Sequence, residues 1–228
     1  MTELVMHKAG DLAATLGTMP EHALIELIDD PIRVRDLTVA MRRAGEETID
    51  RQQSYEANSF ELHNFGSRYD QALAIEEAFP SALRLEAERR FAEQAVRHTA
   101  PEEAVLFLTG SLARRMQSGG GASPDRIEAV AETLADNDDR ATIYGVPLIG
   151  FSVPELQVAM RQVLRTRTWF PSACEFLEAA RDARKFFWQV QHTAYRHREI
   201  VRSATAFLAS YDNTDNPDTD PRDDDIGF

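Results

Sequence analysis

Phe151-Ser152-Val153-Pro154-Glu155-Leu156 opens a stretch that closes on Trp169-Phe170-Pro171-Ser172-Ala173-Cys174-Glu175-Phe176. Ser152 and Glu155 have capping-box spacing. The hydroxyl accepts from the third residue's N–H while the carboxylate reaches back to the first. Pro154 falls inside the first turn, where a missing N–H costs little. Phe151 and Leu156 flank that turn as a hydrophobic staple. Val153, Leu156, Met160, Val163 and Leu164 then recur at helical spacing, so Phe151 to Thr168 reads as an amphipathic helix. The residue before a proline avoids the helical region, so Trp169-Phe170-Pro171 reads as extended. A second box, Ser172 with Glu175, starts a long helix. It runs to about Tyr195 and can continue to Tyr211, with Phe176, Leu177, Ala180, Phe187, Trp188 and Gln191 following the helical period.

The same signals recur outward from this stretch. Thr18…Glu21 and Thr99…Glu102 have capping-box spacing, with Pro20 and Pro101 in their first turns. A helix from about Met19 to Asp29 places Ala23, Leu24, Leu27 and Ile28 on one face. Asp30-Pro31 begins another, with Ile32, Val34, Leu37, Ala40 and Met41 inward and Arg33, Arg35, Arg42 and Arg43 outward. It continues past Gly45 towards Asn58, and Asn64-Phe65-Gly66-Ser67 reads as a turn. Tyr69 to Phe79 and Ser81 to His98 form a helical hairpin broken at Pro80, and Pro101 to Gln117 is a further helix. Pro124 to Leu134 is helical, Asp136 to Arg140 a polar turn, and Ala141 to Ile149 a short connection or single strand. The alternating strands of a barrel are absent.

The expected fold is therefore all-α. Ser118-Gly119-Gly120-Gly121-Ala122-Ser123 is the clearest linker. It divides the chain into an N-terminal helical bundle at 1–118, a linker at 119–123 and a smaller C-terminal helical unit at 124–211. The tail at 212–228 holds seven Asp against Arg222 alone, a composition expected to stay disordered.

With 43% hydrophobic and 28% charged residues, the composition is that of an ordinary globular protein. No run of 18 apolar residues suggests a membrane span, and the first ten residues do not form a signal peptide. The expected location is cytoplasmic, with no membrane partner. The net charge of −13 argues against a basic nucleic-acid binder over the whole surface. The charge is uneven, however. Gly150 to Ser203 carries nine Arg/Lys against five Asp/Glu.

None of the six His has a Glu three residues before it, so the di-iron bundle motif is absent. Gly119-Gly120-Gly121 lacks the Lys-Ser/Thr of a phosphate-binding loop. Thr109-Gly110-Ser111 does not complete a nucleophile elbow. Cys174, the single cysteine, reads as a small buried hydrophobe or a helix-start thiol. The expectation is a non-enzyme without cofactor or metal.

Two groups of residues point to binding. Trp169 and Phe170 either plug the corner between two helices or offer stacking surfaces. Arg161, Arg165 and Arg167 precede that corner; Arg181, Arg184, Lys185, Arg196, Arg198 and Arg202 follow it. Arginine beside exposed aromatics can hold single-stranded DNA through phosphates and stacked bases. The alternative is a solvated basic helix face.

The second group is the end of the tail, Asp223-Asp224-Asp225-Ile226-Gly227-Phe228. It resembles the acidic tip of bacterial single-stranded-DNA-binding protein (SSB), which usually reads Asp-Asp-Asp-Ile-Pro-Phe. Five of the six positions match, and Gly227 replaces the proline. The resemblance implies docking to proteins that bind SSB tails. Phe228 fills an apolar pocket, its carboxylate meets a cation, and the aspartates steer. Residues 124–190, with their basic helix end, aromatic-proline turn and capped helix, also resemble phage replication proteins of the helicase-loader type. That likeness implies a replicative helicase as partner. Together these imply a DNA replication or recombination protein, encoded by a phage or mobile element, acting at single-stranded DNA. The alternatives are a helicase loader and an SSB-tail mimic that occupies host repair or defence proteins.

Overall fold

The computed structural model describes the backbone of residues 9–62, 67–116, 122–135, 142–143, 146–147 and 150–212. Along these the chain forms α1 (Ala9–Thr18), α2 (Glu21–Asp29), α3 (Val34–Leu62), α4 (Arg68–Ala78), α5 (Ala82–Arg97), α6 (Glu102–Arg115) and α7 (Pro124–Ala135). A short hairpin follows, β1 (Thr142–Ile143) with β2 (Val146–Pro147), then α8 (Val153–Thr166) and α9 (Ala173–Asp212). The fold is all-α, as expected. The hairpin replaces the connection or single strand read at 141–149; it pairs antiparallel, Thr142 against Pro147 and Ile143 against Val146. The turns at 63–66 and 136–140, residues 118–121 of the linker and the tail at 213–228 lie outside the described residues.

Both boxes of the opening stretch form. Ser152 Oγ accepts from the Glu155 N–H at 3.3 Å, and Glu155 Oε2 accepts from the Ser152 N–H at 2.8 Å. Ser172 and Glu175 repeat the pattern at 3.3 and 2.9 Å. The other two boxes do not form. Pro20 and Pro101 are themselves the residues before α2 and α6, and neither helix has a side-chain cap. Pro20 bars residue 19 from helix, so Thr18 ends α1 instead and its hydroxyl donates to Ala14 O. Asp30 caps the next start, accepting from the N–H groups of Ile32 and Arg33. Ile32 was expected inward, but it precedes the first turn of α3 and is 68% exposed, whereas Val34, Leu37 and Met41 are buried.

α5 and α9 form the axis, and α1, α2, α3 and α8 pack around it. Phe91 of α5 meets Phe187 of α9 edge-on, with ring centroids 6.0 Å apart. One core runs from Leu16 through Phe91, Leu112, Leu134 and Phe151 to Val190. It takes in residues from both sides of 119–123, so the boundary expected there does not divide the packing. The helices on either side of it, α6 and α7, pack together. Beyond Val190, α9 extends over α4 with smaller clusters, including Ala72, Ala204 and Leu208.

α8 departs from the amphipathic pattern. Every residue from Phe151 to Met160 is buried, and the helix emerges at the surface only in its second half. Two polar groups are therefore enclosed in its first half, Glu155 and Gln157. Glu155 is met by Arg184 of α9, whose Nε and Nη2 donate to its two carboxylate oxygens at 2.8 and 3.0 Å. Arg184 Nη2 also donates to Gly150 O, and the guanidinium lies 4.4 Å from the Phe151 ring centroid. Burial pushes the Glu155 carboxyl up, while Arg184 and the Ser152 N–H oppose that shift. Gly150 holds φ +72°, a left-handed conformation that glycine adopts without strain.

Two stability tests follow from this packing. Arg184→Leu leaves a buried, uncompensated carboxylate and is expected to cost about 3–5 kcal/mol in urea unfolding. Adding Glu155→Leu to that variant is expected to restore part of the loss, because the stranded charge is gone. Gly45 sits inside α3, where alanine normally stabilises by about 1 kcal/mol. A Cβ there would lie 2.5 Å from Val190 Cγ2, so Gly45→Ala is expected to lower the melting temperature, with overpacking costing about 1–3 kcal/mol.

Candidate nucleic-acid interface

The basic residues expected to form one surface separate into distinct environments. Arg184 is removed from the interface altogether, since it is buried in its pair with Glu155. Arg198 is half-buried and pairs with Glu86 of α5 and Glu199, with its guanidinium over the Tyr195 ring. Arg167 pairs with Glu175 at 3.1 Å, closing the corner between α8 and α9. Lys185 is exposed, 3.8 Å from Asp182. Arg181 and Arg196 are exposed on α9. Arg202, also exposed, lies 3.8 Å from Glu199. Apart from Arg167, these side chains are spread along a helix of 40 residues rather than gathered at one point.

The corner itself resolves the two readings of its aromatics. Phe170 is 1% exposed and belongs to the core, so it is not a stacking platform. Arg126 of α7 donates to Phe170 O at 2.9 Å and lies over its ring, tying α7 to the corner. Trp169 is 53% exposed and remains available to a partner.

Arg161 and Arg165 have the most distinctive surroundings. They lie on the half of α8 that reaches the surface, with Arg161 near Arg35 and Arg42 of α3. Burial pushes the Arg161 guanidinium below its ordinary value, and Arg42, Arg165 and Arg35 push it further. Asp36 opposes that shift. Arg35 and Arg42 each hold a local carboxylate, Asp36 at 3.2 Å and Glu46 at 2.9 Å. Among the described residues neither Arg161 nor Arg165 has an ion-pair partner.

A cavity of about 110 Å³ opens at this point between α3, α6 and α8. Ile32, Phe107 and Met160 give it an apolar lining, and Arg35, Arg115 and Arg161 give it charge. Phe107 is 41% exposed and its neighbour Leu106 is also exposed, so an aromatic ring stands open beside the arginines. Gln157 lines the cavity too, and its Nε2 donates to Pro31 O at 2.7 Å. That bond fixes α8 against the entry to α3. Sequence reading had placed Arg35 and Arg42 on an outer helix face without a destination, and had not singled out Arg115, Phe107 or Gln157. Their convergence depends on helix packing over more than 100 residues of chain, although two arginine-bearing helix faces were visible.

The arrangement offers several cations, an apolar wall and an open ring. It suits a ligand with repeated negative charge and flat apolar groups. Among the described residues no group of three or more His, Cys, Asp or Glu could hold a metal ion. No helix of the described residues is long and apolar enough to cross a membrane. No family model matches the chain, and no curated protein or solved structure is significantly similar to it.

The different roles of the two corner aromatics can be measured. Phe170→Ala is expected to cost about 3–5 kcal/mol in denaturant unfolding, as for a fully buried ring. Trp169→Ala is expected to stay within about 0.5 kcal/mol of wild type, as for a surface substitution.

Proposed function

We propose that the chain is a non-enzymatic DNA replication or recombination protein, encoded by a phage or mobile element. Its helical body engages single-stranded DNA, and its tip recruits proteins that bind SSB tails. The observation that carries the first part is the meeting of Arg35, Arg115 and Arg161 around an apolar cavity, with Arg42 and Arg165 acting on Arg161, on a protein of net charge −13. A solvated basic face would spread such charges apart to reduce repulsion. Here three helices bring them together, and Phe107 stands beside them for stacking. Arginine suits the task because its planar fork grips phosphate and lies flat on bases.

The tip supplies the second part through its resemblance alone. Phe228 would be the anchor, its carboxylate the charged contact, and Asp223, Asp224 and Asp225 the steering group, with Ile226 beside them. Gly227 leaves the free tip more mobile than proline would, so docking costs more ordering entropy. The exposed Ile32, Leu106 and Phe107 favour a second reading, in which the same cleft holds a protein such as a replicative helicase and the chain is a loader.

Fluorescence anisotropy with a labelled single-stranded oligonucleotide separates the two. Binding is expected to weaken steeply between about 50 and 200 mM salt. Arg161→Ala with Arg165→Ala is expected to flatten the slope of log K against log salt by roughly 1.4, from two phosphate contacts at about 0.7 each. An unchanged slope would place any DNA elsewhere, and no binding would favour the loader. Deleting Phe228 is expected to abolish capture by an SSB-tail-binding protein while leaving the anisotropy unchanged.

A further inference from the structure

One stripe of α6 faces outward among the described residues. Glu103, Phe107, Gly110 and Arg114 are spaced four, three and four, so they fall within about 60° of one another on a helix of 3.6 residues per turn. Glu103 and Arg114 are exposed, Phe107 is 41% exposed, and Leu106 at its side is 50% exposed. Among the described residues neither Glu103 nor Arg114 has an ion-pair partner. Arg114 makes only a local bond, its Nη2 donating to Ser111 Oγ at 3.2 Å.

Gly110 sits inside α6 without a reason from its own chain. It does not hold the positive φ that favours glycine, and a Cβ there would meet nothing within 4 Å. Alanine would be the better helix former. The fold therefore bears a cost at Gly110 that its own packing does not return. The missing side chain leaves a gap in the outer face one turn from the Phe107 ring.

The stripe is complementary to its own reverse. Its spacing reads four, three, four from either end, and its chemistry runs acid, ring, gap, base. Turn a second copy end for end about a two-fold axis between residues 108 and 109. Glu103 of one copy then meets Arg114 of the other, and Phe107 meets Gly110. Symmetry makes each contact twice, as in any isologous interface. The gap lets the two helix axes approach near the short end of the usual range of about 8–10 Å. A parallel pair would instead set Glu103 on Glu103 and Arg114 on Arg114.

We propose that α6 is the contact through which two copies of this chain pair, antiparallel about a two-fold axis. Each Phe107 ring seats over the other copy's Gly110, and Glu103 faces Arg114 at both ends. A helix of 14 residues per copy makes a small contact, below the ~1,200 Å² of standard stable interfaces, so the pair is reversible with a dissociation constant in the micromolar range. Phe107 also lines the arginine cavity, so a strand that stacks on the ring displaces the second copy. The pairing stands apart from the nucleic-acid reading, and its test uses no DNA.

Sedimentation velocity of the full chain, from low to high micromolar concentration, is expected to show monomer passing to dimer. Gly110→Ala is expected to raise the melting temperature of the monomer, yet to weaken pairing at least about tenfold, because a methyl group then stands under each ring. A glycine with a merely structural role would not split those two readouts. Glu103→Arg and Arg114→Glu are each expected to weaken pairing about fivefold or more, since like charges then meet at both ends. Both side chains are exposed, so circular dichroism is expected to show an unchanged fold. Mixing the two charge variants in equal amounts is expected to restore association, because a helix with Arg at both ends then faces one with Glu at both ends. A monomer at every concentration would overturn the pairing. So would a dimer that Gly110→Ala leaves unchanged, or charge variants that associate no better mixed than alone.

Discussion

Glu155 and Arg184 meet across the joint between α8 and α9, almost wholly withdrawn from water. Removing two charges from solvent costs several kcal/mol each, and the pair offsets this only through good geometry and full hydrogen bonding. Both conditions hold. The guanidinium grips both carboxylate oxygens, one oxygen also takes the Ser152 N–H, and the remaining donor capacity reaches Gly150 O. The Phe151 ring covers the cation. The capping box, the left-handed glycine and the ion pair thus form one unit that sets where α8 enters the core and how it lies on α9. Such a pair adds little net stability over apolar packing of the same shape. Its effect is on geometry, because few alternative arrangements can satisfy both charges.

That geometry positions the candidate interface. The first half of α8 is enclosed, so its axis is held on all sides before it reaches the surface. Its second half then presents Arg161 and Arg165 beside α3 from a rigid base. Gln157 adds a tie to Pro31, holding the start of α3 and its Arg35 against α8. Arg165 lies in the last turn of α8, where the helix dipole favours a cation. A locally positive cleft on a protein of net charge −13 also directs an anion to one place, because the rest of the surface repels it.

Much of this was legible in the chain, and the failures have local physical causes. Capping boxes were reliable where the hydroxyl preceded its helix directly, as at Ser152 and Ser172. They failed at Thr18 and Thr99, where proline two residues later became the residue before the helix and displaced the start. Arg184 was read as a surface residue because it is an arginine in a basic segment. Its spacing said otherwise: Phe176, Ala180, Arg184 and Phe187 stand at intervals of four, four and three, and all four are buried. A cation on an apolar face signals a buried acid, and Glu155 on the apolar α8 was its counterpart. Trp169 and Phe170 could not be separated in the same way, because adjacent residues in an extended corner face different environments that only the packing defines. The glycine-rich composition at 119–123 does not reveal that the elements on either side of it share a core. The cavity was the least legible feature, since its residues come from three helices far apart in the chain.

The distinction between a basic surface and a binding site turns on whether the fold bears a cost to hold the charges together. Arg167, Arg198 and Lys185 bear none, since each lies beside a carboxylate. Arg161 does, because partial burial and three neighbouring arginines all disfavour its charged form. Gln157, in the wall of the same cavity, buries an acceptor that has no donor among the described residues. The cost at Arg161 falls when a ligand brings negative charge to the guanidinium. Such local deficits mark functional positions more often than packing faults, because the surrounding structure must tolerate them in the empty state. Single-stranded nucleic acid carries such charge at every residue, with flat rings that can stack on the exposed Phe107.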